Sequence, residues 1–429
     1  MIEQGTPSYR KATVALALGS FLVFCNLYLF QPLLPVMASH FGVSATKVNW
    51  LLAAGTFSLA LSLVPWAIAS ETLGRYRIML VSLFLLPCVG LLMLAADSLL
   101  MLSLARAAMG VALAGFAAVA VAYMAEEFTS KALMLAVGTY ISANSLGGIA
   151  GRLYGGLVTE LWSWQVAVVG MAIFSFIGAC LVYLWLPKPQ HFSPVIAHDS
   201  KQEYSTSHAD SSYRSVDTIP SKIGHLRAQH RAIVQHLRNP TLWLAMLVGG
   251  INFALFVNLY SVMGFRMVAP PYSLPVSITS LIFLCYLSGT VTAKLSGKWS
   301  LHFSPVTGMI VGSVISMLGL WIAAYESLMV MLAGLLLISS GAFFTHSLAY
   351  AWVSREAKTA KATATALYLV HYYVGGSVGG FYLIACWQHG GWQGVLLGGM
   401  ALYGLLFWLC YRLRSYDQQA SSVMTKMTP

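Results

Sequence analysis

Residues 21–28 read FLVFCNLY and residues 253–260 read FALFVNLY. The octamers share Phe21/Phe253, Phe24/Phe256, Asn26/Asn258, Leu27/Leu259 and Tyr28/Tyr260 at one constant offset. An apolar stretch that carries the same asparagine and tyrosine twice points to an internal duplication. A second match supports it: GTYISANSLGGIAGRLYGG at 138–156 aligns with ALYLVHYYVGGSVGGFYLI at 366–384, and Trp164-Gln165 with Trp392-Gln393. The two offsets agree within a small deletion.

Around these anchors the chain is 58% hydrophobic and only 9% charged over 429 residues, far below the charged quarter of an average soluble domain. Apolar runs long enough to cross a hydrocarbon core recur at 12–38, 48–69, 78–95, 99–123, 134–158, 165–187, 241–265, 278–296, 305–323, 328–352, 364–386 and 393–411. Lipid offers the backbone no partner, so such runs are expected to be helices. The first is longer than a leader core, holds Asn26 and Gln31, and reads as a retained span.

The net charge of +11 is not a nucleic-acid signature. With both termini inside, only Lys47 and Arg266 fall outside, and Arg106, Arg152 and Lys294 fall within spans. The remaining basic residues collect on the inner side, as the positive-inside rule requires. Cys25, Cys88, Cys180, Cys285, Cys386 and Cys410 all lie in apolar runs without metal-ligand spacing; they read as small hydrophobes, with no disulfide and no metal site.

One segment breaks the pattern. Residues 189–240 form a polar, Ser-rich linker that ends in a basic amphipathic helix at about 221–238, with Ile223, Leu226, Val234 and Leu237 able to share a face on the inner leaflet. It divides the chain into a first half, 1–188, and a second, 241–429. Six spans bring a chain back to its starting side, so the halves are parallel repeats, a recurring transporter design.

Specific motifs give the family. AIASETLGRYR at 67–77, an inner loop, resembles the G-x-x-x-D-R-x-G-R-R/K signature of the major facilitator superfamily, with Glu71, Gly74 and Arg75 at matching places. LSLARAAMGVALAG at 102–115 is similar to its L-x-x-x-R-x-x-x-G pattern through Leu102, Arg106 and Gly110. ANSLGGIAGR at 143–152 resembles the antiporter signature G-P-x-x-G-G through Gly147 and Gly148, with Ala143-Asn144 in place of Gly-Pro. QPLLP at 31–35 and YMAEE at 123–127 carry a likeness to the YnfM-like branch of bacterial drug:proton antiporter-type transporters. The resemblance implies an all-α integral membrane protein, with twelve transmembrane helices in two six-helix halves, that works by alternating access in the bacterial inner membrane. Proton-coupled efflux of a small organic solute is the mode it suggests, import or exchange the alternative, and a non-transporting sensor or assembly factor a distant third. By the same resemblance, Arg75 should pair with a carboxylate of Glu126/Glu127 and Glu71 should face the start of the eleventh span.

Every carboxylate maps to a loop, a tail or a span end, whereas the charges inside the spans are basic. Burying arginine near the bilayer centre costs about 2.5–3.5 kcal/mol, so Arg106 and Arg152 should meet a wet cavity or polar partners. Arg106 is open to two readings, a packing lock on carbonyls or a coupling role; Arg152 is equally open to structural and substrate-facing ones. Asn26, Tyr28 and Gln31 in the first span, and Asn258 and Tyr260 in the seventh, read as lining the cavity, with interhelical bonding the bland alternative. Asn144, Arg152 and these five form the expected substrate set. Glu126, Glu127 and His371 join Arg106 as proton-coupling candidates, since histidine changes charge near neutral pH; His346 is comparable. Glu71, Gly74 and Arg75 form the expected inner gate, and Gly110, Gly147, Gly148 and Gly151 the helix-packing positions. The expected partners are a small-molecule substrate, protons and membrane lipids, with no nucleic acid, no cofactor and no enzymatic site, in a monomer. A cavity with arginines and no acid favours a neutral polar or anionic solute.

Overall fold

The computed structural model describes residues 1–189 and 222–427. In the first half, α1 (Pro7–Tyr28), two short helices α2 (Leu34–His40) and α3 (Ala45–Val48), α4 (Trp50–Leu73), α5 (Arg75–Leu92), α6 (Leu99–Glu127), α7 (Ser130–Leu161) and α8 (Trp164–Trp185) follow one another. The second half runs through α9 (Lys222–Arg238), α10 (Pro240–Val268), short α11 (Val276–Ser280), a tight turn of helix at Leu281–Cys285, α12 (Tyr286–His302), α13 (Pro305–Ile322), α14 (Leu328–Glu356) and α15 (Lys361–Met427). Among the described residues, eleven stretches of helix are long and apolar enough to span a membrane. The last breaks at Gly391, where φ 56° and ψ −149° require a glycine. It therefore crosses twice, giving the twelve expected crossings.

The first and seventh spans are central. Burial takes in 83% of the apolar window of α10 and 67% of that of α1, against 33% for α7. Both central helices meet a glycine-lined partner. Gly147, Gly151 and Gly155 of α7 lie so close to the backbone of Phe21, Cys25 and Leu29 that a Cβ on any of them would strike it. Gly375 and Gly379 of α15 do the same against Gly250 and Ala254 of α10. Without side chains the backbones approach directly, the usual means of helix association where no hydrophobic effect drives it. Gly110 serves likewise between α6 and α4, against Gly55 and Ser58.

Arg106 ties three helices of the first half. From α6 its Nε donates to Leu51 O (3.0 Å), Nη1 to Asn26 O (2.9 Å) and Nη2 to Leu27 O (2.5 Å), and the side chain is 1% exposed. All three nitrogens are committed to carbonyls, which is the packing reading of this residue.

Two expectations need correction. The first span is not continuous over 12–38: α1 stops at Tyr28, and residues 29–33 turn before α2. Pro32 has no N–H to continue the ladder and disfavours helix at Gln31. Asn26, Tyr28 and Gln31 consequently sit at the far end of α1 rather than mid-span. The stretch 67–77 is not a loop either; α4 runs to Leu73, α5 starts at Arg75, and Gly74 alone turns the chain with φ 92°. The basic amphipathic segment forms α9, in which His236 is buried and Leu237 exposed, with His236 Nε2 placed 3.3 Å from Ala360 O. The linker ahead of it, 190–221, lies outside the described residues, and so do the side chains of Ile223 and Leu226.

The halves meet at the end of the bundle away from the linker, here the far end. Thr46 Oγ1 donates to Gln388 Oε1 (2.8 Å), the Thr56 and Ser377 hydroxyls are 2.7 Å apart, and Trp50 packs edge-on to Phe381 at 4.8 Å. Val276 N donates to Glu160 Oε2 (3.0 Å). Beside these contacts the buried carboxamide of Asn49 lies next to Gly380 with neither its oxygen nor its nitrogen hydrogen-bonded, and Asn258 Oδ1 faces the same glycine unpaired.

Two stability outcomes follow. Gly151→Val forces the backbones of α7 and α1 apart, costs about 1–3 kcal/mol, and lowers the thermal unfolding midpoint in detergent by several degrees. Gly138→Ala on the same helix, where nothing lies within 4 Å, leaves it unchanged. Arg106→Gln leaves buried carbonyls without donors at about 1–3 kcal/mol each, and lowers both abundance and midpoint by more than the valine substitution does.

Candidate functional site

The turn after α1 brings Gln31 and Arg152 together. Arg152, on α7 and 2% exposed, donates from Nε to Gln31 Oε1 (2.7 Å) and from Nη1 to Gly148 O of the preceding turn (2.7 Å). Gly148 makes this possible: a Cβ there would come 3.1 Å from Nη1 and 3.6 Å from the Tyr28 ring. The guanidinium lies 3.7 Å from the Tyr28 ring centroid in the first half, and 4.8 and 4.9 Å from those of Phe283 and Tyr286 in the second. Cation–π contacts of this kind hold an arginine without cancelling its charge. The ion pair that the described residues form is elsewhere, at Arg75–Glu126.

Gln31 faces both ways. Its Nε2 donates to Val257 O (2.8 Å) and Ser261 Oγ (3.0 Å) of α10. The amide orientation is forced, because arginine only donates and a backbone carbonyl only accepts. One buried carboxamide thus joins the cation of the first half to the central helix of the second.

An aromatic group continues from Arg152 toward the linker end. Phe253 stacks on Tyr372 at 3.9 Å, Phe256 packs on Tyr286 at 4.6 Å, and the His346 ring lies 4.4 Å from Tyr372. His346 Nδ1 is 2.9 Å from Tyr368 Oη. Tyr372, His346 and Asn144 are half-buried, and Asn144 Oδ1 has no hydrogen-bond partner. His371 Nδ1 is 2.8 Å from Leu367 O within its own helix.

Of the expected substrate set, then, Tyr28, Gln31 and Arg152 converge, with Asn144 one turn of α7 away from Gly148. Two others, Asn26 and Asn258, do not belong with them, whereas Tyr260 packs on Phe283 (5.7 Å) and Tyr286 (4.7 Å) beside the cation. Asn26 Nδ2 donates to Leu22 O (2.9 Å) and to Ser175 Oγ of α8 (2.8 Å). Asn258 Nδ2 donates to Ala254 O (2.9 Å) and to Gly376 O of α15 (2.8 Å). Tyr260 donates to Leu335 O of α14 (2.8 Å). The repeated asparagines each take the carbonyl four residues back and one acceptor on a neighbouring helix, so they are packing residues, because a buried amide in lipid must satisfy itself within the protein. The aromatic group around His346 was missed; the spacing of Tyr368 and Tyr372 along one helical face was its signal.

At the linker end Arg75 pairs with Glu126. Arg75 Nε donates to Glu126 Oε1 (2.6 Å) and Nη1 to Ser70 Oγ (3.0 Å). Glu71 is half-buried in the last turn of α4 and is engaged as well. A cavity of about 260 Å³ opens beside the pair, lined by Tyr76, Tyr123 and Glu127 among others. Ile2 covers this corner by pairing with Phe128: Ile2 N donates to Glu127 O (2.6 Å) and Thr129 N to Ile2 O (3.1 Å).

Known proteins agree with this geometry. The Major Facilitator Superfamily model matches residues 16–380. The MFS-type transporter YybF of Bacillus subtilis is 31% identical over 95% of this chain and 94% of its own. The inner membrane transport protein YnfM of Escherichia coli is 30% identical over 92% of this chain and 88% of its own. Among solved structures, a bacterial homolog of the human lysosomal transporter Spinster, in an inward-facing and occupied conformation, superimposes with a TM-score of 0.73 at 14% identity, covering 96% of this chain and 98% of that one. The human organic anion transporter MFSD10 gives 0.65 at 17% identity, over 94% and 99%. The chain belongs to the major facilitator superfamily and is a multi-pass inner-membrane secondary transporter, not an enzyme.

Proposed function

We propose that this transporter exports a small organic anion, or a neutral polar solute of similar shape, from the cytoplasm, with the linker and both termini on the cytoplasmic side. One observation carries the substrate reading: Arg152 is buried among aromatic rings, and its hydrogen bonds go to an amide oxygen and a carbonyl rather than to a carboxylate. A low-dielectric wall leaves such a charge strongly felt, attracting anions and repelling cations. A lipophilic cation would find no counter-ion there. Tyr28 and Asn144 supply the neutral polar groups beside it.

The direction rests on the YnfM-like motifs, and the cytoplasmic placement of the linker and termini on the positive-inside distribution of charge. The cytoplasmic gate in this reading is Arg75–Glu126 with Glu71 and Gly74, around which the inner ends close when the outer ends part. Protons are the proposed coupling ion. Arg106 has its nitrogens committed to carbonyls, so the coupling groups in this reading are His371, and Glu126 with Glu127. Replacing both glutamates by Gln then abolishes accumulation driven by a pH gradient and retains exchange.

The substrate reading is tested on purified protein in liposomes. Arg152→Gln lowers affinity for a transported anion at least tenfold and changes affinity for its neutral analogue less than threefold. Saturable transport of a quaternary ammonium compound, equal in wild type and Arg152→Gln, is the contrary result. At the gate, Arg75→Ala reduces transport several-fold. Abundance and unfolding midpoint stay nearly unchanged, since a partly exposed ion pair contributes only about 0–1 kcal/mol; transport at the wild-type rate removes the gate assignment.

A further inference from the structure

Gln31 occupies a place that neither its chemistry as a packing residue nor the substrate reading explains. Its Oε1 takes the Nε of Arg152, the group a carboxylate would take, while its Nε2 holds the backbone of α10 in the other half. We propose that the Gln31 carboxamide is the carrier's own stand-in for a substrate carboxylate at Arg152, and that an arylcarboxylate arriving from the linker end displaces it and so unlatches the far end. The inference deepens the anion reading above and rests on it.

The physical argument has three steps. A carboxylate on a guanidinium forms charge-assisted, often bidentate hydrogen bonds, roughly twice as strong as those of a neutral amide, so it wins the contest for Arg152. An aryl group suits the surroundings, because Tyr28, Phe283 and Tyr286 pack on the cation and the Phe253–Tyr372 stack continues from them. Once Oε1 loses its donor, the amide is no longer held in the pose that presents Nε2 to Val257 O and Ser261 Oγ. The remaining contacts across the far end include the Arg152 guanidinium on Phe283 and Tyr286, the Thr56–Ser377 hydroxyl pair and the Glu160 carboxylate on Val276 N. Opposing closure are the Asn49 carboxamide and Asn258 Oδ1, buried there without partners. A buried polar group without a partner disfavours the arrangement that buries it. The latch therefore holds a closure that its surroundings resist.

The test reads the far end directly. Thr46→Cys and Gln388→Cys, whose side chains touch at 2.8 Å in the native pair, are placed in an active background lacking the six native cysteines, and their disulfide formation rate is measured in liposomes. Benzoate is the probe and benzamide its neutral analogue. Benzoate is expected to slow cross-linking at least threefold, and benzamide to leave it unchanged. Gln31→Ala should slow it equally without ligand and bind benzoate at least threefold more tightly, its internal competitor gone. Gln31→Glu should abolish benzoate binding and make cross-linking insensitive to benzoate. Ligand-free cross-linking at the wild-type rate in Gln31→Ala, or weaker benzoate binding by that variant, overturns the proposal, as does wild-type cross-linking unaffected by benzoate. Failure of the anion reading looks different: benzoate binding survives Arg152→Gln, while Gln31→Ala still changes the ligand-free rate.

Discussion

A cation buried in a membrane must find its acceptors inside the protein, and two arginines at comparable depth meet that requirement in opposite ways. Arg106 gives every nitrogen to a backbone carbonyl, at Leu51, Asn26 and Leu27. Those carbonyls belong to α1 and α4, so the residue, itself on α6, fixes the three helices as one body. Arg152 gives one bond to its own helix and one to a side chain that can rotate away. The first arrangement is a rivet and the second a socket. A six-helix half that rocks as a unit needs the first kind, and a site that accepts and releases a solute needs the second.

The seam between the halves has the same economy. At the far end neutral hydrogen bonds, the Glu160 carboxylate on Val276 N and the Gln31 carboxamide hold the halves together, against buried amide atoms at Asn49 and Asn258 that are left unpaired. Neutral hydrogen bonds add only about 0.5–1.5 kcal/mol each, and an unmade one in a buried place costs about 1–3 kcal/mol. Closure on such terms is near balance. Alternating access depends on that balance, since a ligand shifts a two-state equilibrium only by its differential affinity for the states.

The fold was legible because it is written in long-range properties: run length, charge asymmetry and the duplicated octamer survive any local error. The site was only partly legible, and the reason is angular. Asn26 and Tyr28 are two residues apart, so on a helix they point to different sides; the octamer alone does not say which side faces inward. The structure turns both repeated asparagines to neighbouring helices and leaves Tyr28 beneath the cation. Gln31 stood out as a polar residue in an apolar run, yet its reach across the halves depends on the turn that Pro32 imposes, a break hidden inside that run. The clustering of His346 with Tyr368 and Tyr372 depends on how α14 meets α15, which no local spacing encodes. Glycines were more readable, since Gly147 and Gly151 recur at the helical spacing that close approach demands.

An arginine without a counter-ion also has an electrical meaning. When the site is empty, Arg152 carries a net positive charge through whatever part of the membrane field the rocking motion exposes to it. In the proposed reading, with the linker cytoplasmic and an anion as substrate, a seated anion makes the pair neutral, and the same motion moves almost no charge. A full unit charge crossing a 100 mV potential is worth about 2.3 kcal/mol, and a fraction of it applies to a partial crossing. The voltage therefore acts on the unloaded return step and spares the loaded one. With the cell interior negative, it draws the vacant site inward, toward the conformation in which the far end is sealed.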